Sequence, residues 1–268
     1  MSPVQAQDLS LIAGGHRLEA RLLGAVVPGR PTLVFLHGGL DCIAMWRGLP
    51  EAVVAASGLA ALIYERWGHG GSDRLILPKR PDHRLNEAGP TLADVFAGAG
   101  IDRAILVGHS YGGCLALLGA ALHPRVVCGA VAIAPQLVMH EAAREGLRRA
   151  IAAWESGKLR DSLAKYHGGN TEALFEGWIA ETEDAAMEAR YEALLGDITR
   201  PVRVLVGAED EYGYQPNLDM IERAVDPQWR AIEVVAGWRH HPHWHDLAGV
   251  AARVAAAIAD IRASRGDD

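Results

Sequence analysis

A chain of 268 residues, half of them hydrophobic, can bury a substantial core as one α/β domain with room for an inserted segment. Its formal charge of −7, a pI near 5.9 and the lack of a basic stripe argue against nucleic acid or an anionic membrane as a partner. No apolar run approaches the roughly 20 residues of a membrane-spanning helix, and the opening MSPVQAQDLS lacks a basic-then-apolar secretion pattern, so a cytoplasmic, membrane-free protein is expected.

The segments Leu9 to Ala13 and Arg17 to Leu23 alternate apolar with polar residues and predict an antiparallel hairpin at a sheet edge. Short, nearly continuous apolar runs follow at Thr32 to Leu36, Leu59 to Tyr64, Ala104 to Val107, Val126 to Ala134, Val202 to Val206 and Ala231 to Val235. Helix-like stretches such as Arg47 to Ala56, Leu92 to Ala99 and Leu115 to Leu122 lie between most of them. That alternation predicts a mostly parallel sheet with helices on both faces. It breaks once, between Leu137 and Arg200, where EAAREGLRRAIAAWESGKLRDSLAKYH favours helix and no strand pattern is present. The expected organisation is a core of 1–136 and 201–268, with 137–200 inserted as a helical lid before the last two strands. Three cysteines (Cys42, Cys114, Cys128) without CxxC spacing predict no disulfide framework, and Cys114 and Cys128 read as small buried hydrophobes.

Four unusual stretches directly follow predicted strands, where an open α/β sheet binds its ligands. In Gly108-His109-Ser110-Tyr111-Gly112 the flanking residues without a Cβ let the backbone turn sharply at Ser110, ahead of a helix. A serine hydroxyl is a weak nucleophile, so it needs a base within reach and a third group to hold that base. His37-Gly38-Gly39-Leu40 reads either as an ordinary glycine turn or as a place where the Gly39 N–H aims at an oxyanion. The acids Glu209, Asp210 and Glu211 form either a solvated loop or a partner for a histidine base. Gly237 to Asp246 holds His240, His241, His243 and His245, but lacks the i, i+4 pairing of a zinc motif, so one histidine as a general base is favoured over a metal site.

In order, VFLHGGLD, YERWGHGGSD, LVGHSYGG, VLVGAEDEY and GWRHHPHWHD resemble the α/β-hydrolase superfamily along nearly the whole chain. The order Ser, Asp, His is that of its triad. The resemblance implies Ser110 as nucleophile, Asp210 as acid and His240 as base, with the backbone N–H groups of Gly39 and Tyr111 as oxyanion donors. The chain departs from the family's G-x-G-H-x-P-H by carrying Arg239 in place of a glycine and His241 beside His240, and Glu209 is a second candidate for the acid. Arg66 to Ser72 matches a structural loop. His37, Trp46, Trp154, Trp178 and His241 are the expected substrate-pocket residues.

The function implied is a serine hydrolase cleaving a carboxylic ester or related acyl compound, without metal or cofactor, on a small, neutral or apolar substrate; a homodimer stays open. The alternatives are a C–C bond hydrolase of ring-cleavage products, for which Arg66 or Arg239 would supply a basic subsite, an amide or lactone hydrolase, and a non-hydrolytic lyase or cofactor-free oxygenase of the same fold.

Overall fold

The fold is given by a computed structural model that describes residues 5–182 and 187–264; the outer ends of the expected core, 1–4 and 265–268, and 183–186 of the expected lid lie outside the described residues. Eight strands form one sheet: β1 (Ala6–Ala13), β2 (His16–Leu23), β3 (Thr32–Leu36), β4 (Ala61–Tyr64), β5 (Ala104–His109), β6 (Val127–Ile133), β7 (Val202–Gly207) and β8 (Arg230–Val235). Their spatial order is β1-β2-β4-β3-β5-β6-β7-β8. The edge hairpin pairs antiparallel, with Ala13 opposite His16 across Gly14-Gly15, and β2 pairs antiparallel with β4. From β4 to β8 every pairing is parallel.

The burial of each strand follows from its place. Every residue of β3, β4, β5 and β6 is buried, because these central strands are covered on both faces. Alternate residues serve opposite layers. Val34, Leu36 and Leu106 pack with Leu92, Leu115 and Leu118 on one face. Leu33, Phe35, Ile105 and Val107 pack with Val53, Val254 and Ile258 on the other. The first layer is supplied by α3 (Leu92–Gly98) and α4 (Tyr111–Leu122), the second by α1 (Leu49–Ser57) and α10 (Leu247–Ala263). Asp246 caps α10 by accepting from the Gly249 N–H at 3.0 Å, a contact worth about 1 kcal/mol.

The helix expected from Leu115 begins four residues earlier, at Tyr111, because Ser110 is its N-cap and the whole first turn is buried. The short α2 (His83–Asn86) carries no apolar periodicity and was not expected; it runs into a π-helical turn (Glu87–Thr91) that leads to α3. Between β6 and β7 stand α5 (Glu141–Glu155), α6 (Lys158–His167), α7 (Thr171–Thr182) and α8 (Glu188–Leu195), with no strand among the described residues of that stretch. After β7 comes α9 (Gln215–Ala224). The chain leaves β3 for neighbours on opposite sides, β4 and then β5, so a crevice opens beyond the carboxyl ends of β3 and β5.

Candidate active site

Ser110 sits where β5 ends and α4 begins, with φ 53° and ψ −114°. That conformation is costly for a residue with a side chain and persists only where the surroundings hold it. Here the Ser110 N–H donates to the Ile133 carbonyl at 2.8 Å, while its own carbonyl accepts from the N–H groups of Cys114 (3.1 Å) and Gln136 (3.2 Å). The flanking glycines act through close approach, not through their own dihedral angles. A Cβ on Gly108 would lie 1.9 Å from the Gly112 carbonyl oxygen, and one on Gly112 would lie 1.8 Å from that of Leu36.

From this turn the Ser110 Oγ lies 2.9 Å from His240 Nε2, and His240 Nδ1 lies 2.8 Å from Asp210 Oδ2. A carboxylate only accepts, so His240 carries its hydrogen on Nδ1, and Nε2 is left to accept from the serine hydroxyl. Asp210 reaches the site from a tight turn after β7. Its second oxygen accepts from the Tyr212 N–H at 2.8 Å. The His240 loop after β8 is held by its neighbours: the His240 N–H donates to Glu211 at 3.1 Å, and the His109 Nε2–H donates to the His240 carbonyl at 2.8 Å. Tyr212 lies against the imidazole with ring centroids 4.6 Å apart, and burial pushes its phenol above its ordinary pKa. Residues 110, 210 and 240, from three strand ends, thus form one hydrogen-bonded chain. Glu209, the other acid considered, makes no contact with the imidazole; its N–H donates to the Trp238 carbonyl.

Ser110 and His240 open onto a cavity of about 180 Å³ shared with Gly39, Tyr111, Trp178 and His241. Trp178 presses on Gly39 so closely that a Cβ there would meet its indole nitrogen at 2.4 Å. Three expected pocket residues lie elsewhere. His37 is buried behind the loop, donating Nδ1–H to the Gly38 carbonyl (2.9 Å) and accepting the Arg66 N–H on Nε2 (3.1 Å). Trp46 is buried against Phe35 and His243 and does not line the cavity. Trp154 stacks on Phe175 at 4.0 Å and supports the wall from behind. All three are apolar or aromatic residues near strand ends or in the helical stretch, and composition does not distinguish a supporting ring from an exposed one.

Several lining residues escaped the sequence reading: Asp41, Arg84, Gln136, Leu159, Leu163 and Tyr212. Arg84 comes from α2, which has no motif to announce it. It is buried, donates to the Gln136 carbonyl at 3.1 Å and lies over the Tyr111 ring at 4.4 Å, with Arg66 at 4.1 Å from the same ring. Leu159 and Leu163 belong to α6, whose apolar residues signalled packing only. A second cavity of about 290 Å³, lined by Arg66, Trp67, Lys79, His83 and Glu87, borders Tyr111 away from Ser110. The loop Arg66 to Ser72 is structural in its bonding: Ser72 Oγ donates to the Glu65 carbonyl at 2.7 Å and accepts the Glu19 N–H at 2.9 Å. Beside the serine, Asp41, His109 and His241 bring one carboxylate and two imidazoles within 4.8 Å of one another, an arrangement with the donor types of a metal centre.

The fold and this serine–histidine–carboxylate arrangement place the chain in a known class. Residues 33–253 match the Alpha/beta hydrolase family, and the chain belongs to it. It is 26% identical over 204 residues, 74% of this chain and 73% of the other, to 2-succinyl-6-hydroxy-2,4-cyclohexadiene-1-carboxylate synthase of Enterobacter sp. (strain 638). It is 33% identical over 97 residues to an sn-1-specific diacylglycerol lipase of Mus musculus, a match spanning 36% of this chain and only 30% of that protein. Among solved structures, a hydrolase from Pseudomonas aeruginosa PA01 superposes with a TM-score of 0.72 over 94% of this chain and 98% of the other, at 18% identity. No helix among the described residues is long and apolar enough to cross a membrane.

Proposed function

We propose that the protein is a serine hydrolase that cleaves a carboxylic ester or related acyl compound through an acyl-enzyme. The observation that carries this reading is the unbroken chain from Ser110 Oγ through His240 to Asp210, at 2.9 and 2.8 Å, opening on a cavity. Ser110 Oγ attacks the substrate carbonyl as its proton passes to His240 Nε2. Asp210 holds the Nδ1–H and stabilises the imidazolium. The N–H groups of Gly39 and Tyr111 receive the oxyanion, aided by the positive end of α4. The leaving group departs with the proton from Nε2, and a water attacks the acyl-enzyme by the same route. Helices α5 to α8 act as a lid, with Leu159, Leu163 and Trp178 as the apolar wall for an acyl or leaving group.

A second reading has support from Arg84, whose guanidinium reaches the cavity wall, and from the likeness to a synthase whose name carries a carboxylate. Under it the substrate bears an anionic group, and the bond broken is C–C or C–O next to a carbonyl. A panel of neutral esters of increasing acyl length, run beside a carboxylate-bearing dienone ring-cleavage product, separates the two. Ester turnover together with labelling of Ser110 by a phosphonate is the expected result. A protein that turns over neither class and leaves Ser110 unlabelled would refute the hydrolase reading.

A further inference from the structure

We propose that Asp41, His109 and His241 bind a divalent transition-metal cation of the Zn²⁺ class beside Ser110. This goes beyond the hydrolase reading and does not rest on it. It also departs from the expectation of a metal-free protein, which rested on histidine spacing within a single loop. The three residues come from three separate strand ends: Asp41 follows β3, His109 closes β5, and His241 follows β8.

His109 Nε2 lies 2.8 Å from the His240 carbonyl oxygen, which can only accept, so Nε2 carries the hydrogen. In the neutral ring Nδ1 is then a bare lone pair. His109 is 1% exposed, and its Nδ1 has no hydrogen-bond partner. Yet Asp41 Oδ2 stands 3.4 Å from it. Two lone pairs facing each other in a buried site repel, so this geometry calls for positive charge between them. The 3.4 Å gap is close to the edge, about 3.3 Å, of a tetrahedron built on metal bonds of about 2.0–2.1 Å.

The remaining donors complete the case. His241 Nε2 lies 3.8 Å from the Asp41 carboxylate, and one donor atom from each of the three residues lies within 4.8 Å of the other two. Gly38 keeps the cradle open: a Cβ there would lie 2.3 Å from Asp41 Oδ2 and 3.2 Å from His109 Nδ1. The Gly38 N–H also orients the carboxylate, donating to Oδ2 at 3.2 Å. The bond from His109 Nε2–H to a backbone carbonyl is the outer contact that metal-binding imidazoles ordinarily make. Two imidazole nitrogens and one carboxylate oxygen suit Zn²⁺ or Co²⁺ better than Mg²⁺ or Ca²⁺, which prefer all-oxygen shells. Asp41 and His241 line the cavity that holds Ser110 and His240, so the open coordination positions face it, available to water or a substrate oxygen.

The test uses the untagged full-length protein, stripped with a chelator and titrated with Zn²⁺ by calorimetry and with Co²⁺ by visible spectroscopy. One equivalent of each is expected, with a Co²⁺ ligand-field band. Asp41→Asn and His241→Ala should each weaken binding at least about tenfold, the loss typical of a damaged metal shell. His241→Ala carries the test if Asp41→Asn fails to fold, because the His241 side chain is a quarter exposed. Ser110→Ala should bind both metals like the parent whether or not the hydrolase reading holds, so the two proposals fail separately. Absence of stoichiometric binding to the parent overturns the proposal. So does binding that persists at parental affinity in the folded His241→Ala variant.

Discussion

Ser110 is held at φ 53° by three backbone hydrogen bonds, so its conformation belongs to the turn and not to the hydroxyl. Removing the hydroxyl should therefore leave the fold unchanged. Ser110→Ala is expected to lose roughly 10⁴ to 10⁶ in kcat, as serine-hydrolase triads do, with an unaltered thermal transition. A variant keeping a tenth of the parental rate would disprove Ser110 as nucleophile. His240→Ala should lose several orders of magnitude, whereas His241→Ala should lose far less, because only the His240 ring bridges Ser110 and Asp210. Asp210→Asn should cost about 10⁴ by favouring the wrong tautomer of His240, measured as kcat/KM on the best ester. Gly112 gives the opposite kind of prediction. A methyl there would strike the Leu36 carbonyl oxygen at 1.8 Å, and that oxygen belongs to the central strand. Since no side chain can swing away, Gly112→Ala should cost at least about 3 kcal/mol in urea unfolding, the upper end of overpacking.

At the scale of elements, the carboxyl ends of β3, β5, β7 and β8 do the positioning, and α6 and α7 contribute lining side chains to the cavity. Two tryptophans of the helical stretch separate packing from recognition. Trp178 lines the cavity and presses on Gly39, whereas Trp154 lies outside the lining and stacks on Phe175. Trp178→Ala should change kcat/KM for the preferred substrate by about tenfold, a pocket contact worth 1–3 kcal/mol. Trp154→Ala should leave kcat/KM near the parental value and lower stability by about 1 kcal/mol, the worth of an aromatic pair. Steady-state kinetics and thermal melts on the two variants check this. The reverse pattern would mean that Trp154, not Trp178, meets the substrate.

For the molecule as a whole, buried neutral histidines make the fold sensitive to acid. The His37 imidazole is held well below its ordinary pKa, first by burial and then by the neighbouring Arg66 guanidinium, although its bond to the Gly38 carbonyl opposes both. The Arg66 N–H occupies Nε2, so a second ring proton would break that bond. The folded pKa therefore lies below the unfolded value of about 6.5. Above that value neither state gains a proton and stability is constant. As pH falls below it, the unfolded chain takes up a proton that the native state refuses, and stability drops. Between pH 7 and 5 this one residue should remove about 2 kcal/mol, read by urea unfolding at the two values. His37→Gln should flatten the curve by about one proton. An unchanged slope in that variant would contradict the assignment.

The chain by itself determined the sheet and the elbow; the Ser, Asp, His order came from its resemblance to the family. The run Thr32 to Leu36 reads as a strand because a strand buried on both faces must be apolar throughout, and β3 has those bounds. Ser110 stands out because two flanking glycines have no other purpose than to let backbone approach backbone. Residue pattern alone left the acid open among Glu209, Asp210 and Glu211 and the base open among four histidines; the resemblance to the family pointed to Asp210 and His240, and the hydrogen bonds of His240 with Ser110 and Asp210 fit that choice. What only the tertiary structure decided is which side chains face the cavity. Arg84 arrives from a short helix without periodicity, while His37 and Trp46, beside the strand ends, turn inward. Asp41, His109 and His241 lie 68 and 132 residues apart along the chain, so no local spacing could join them. Sequence periodicity reports whether a residue is buried by its own element. A binding site is made where the ends of several elements converge, and that convergence exists only once the sheet has folded.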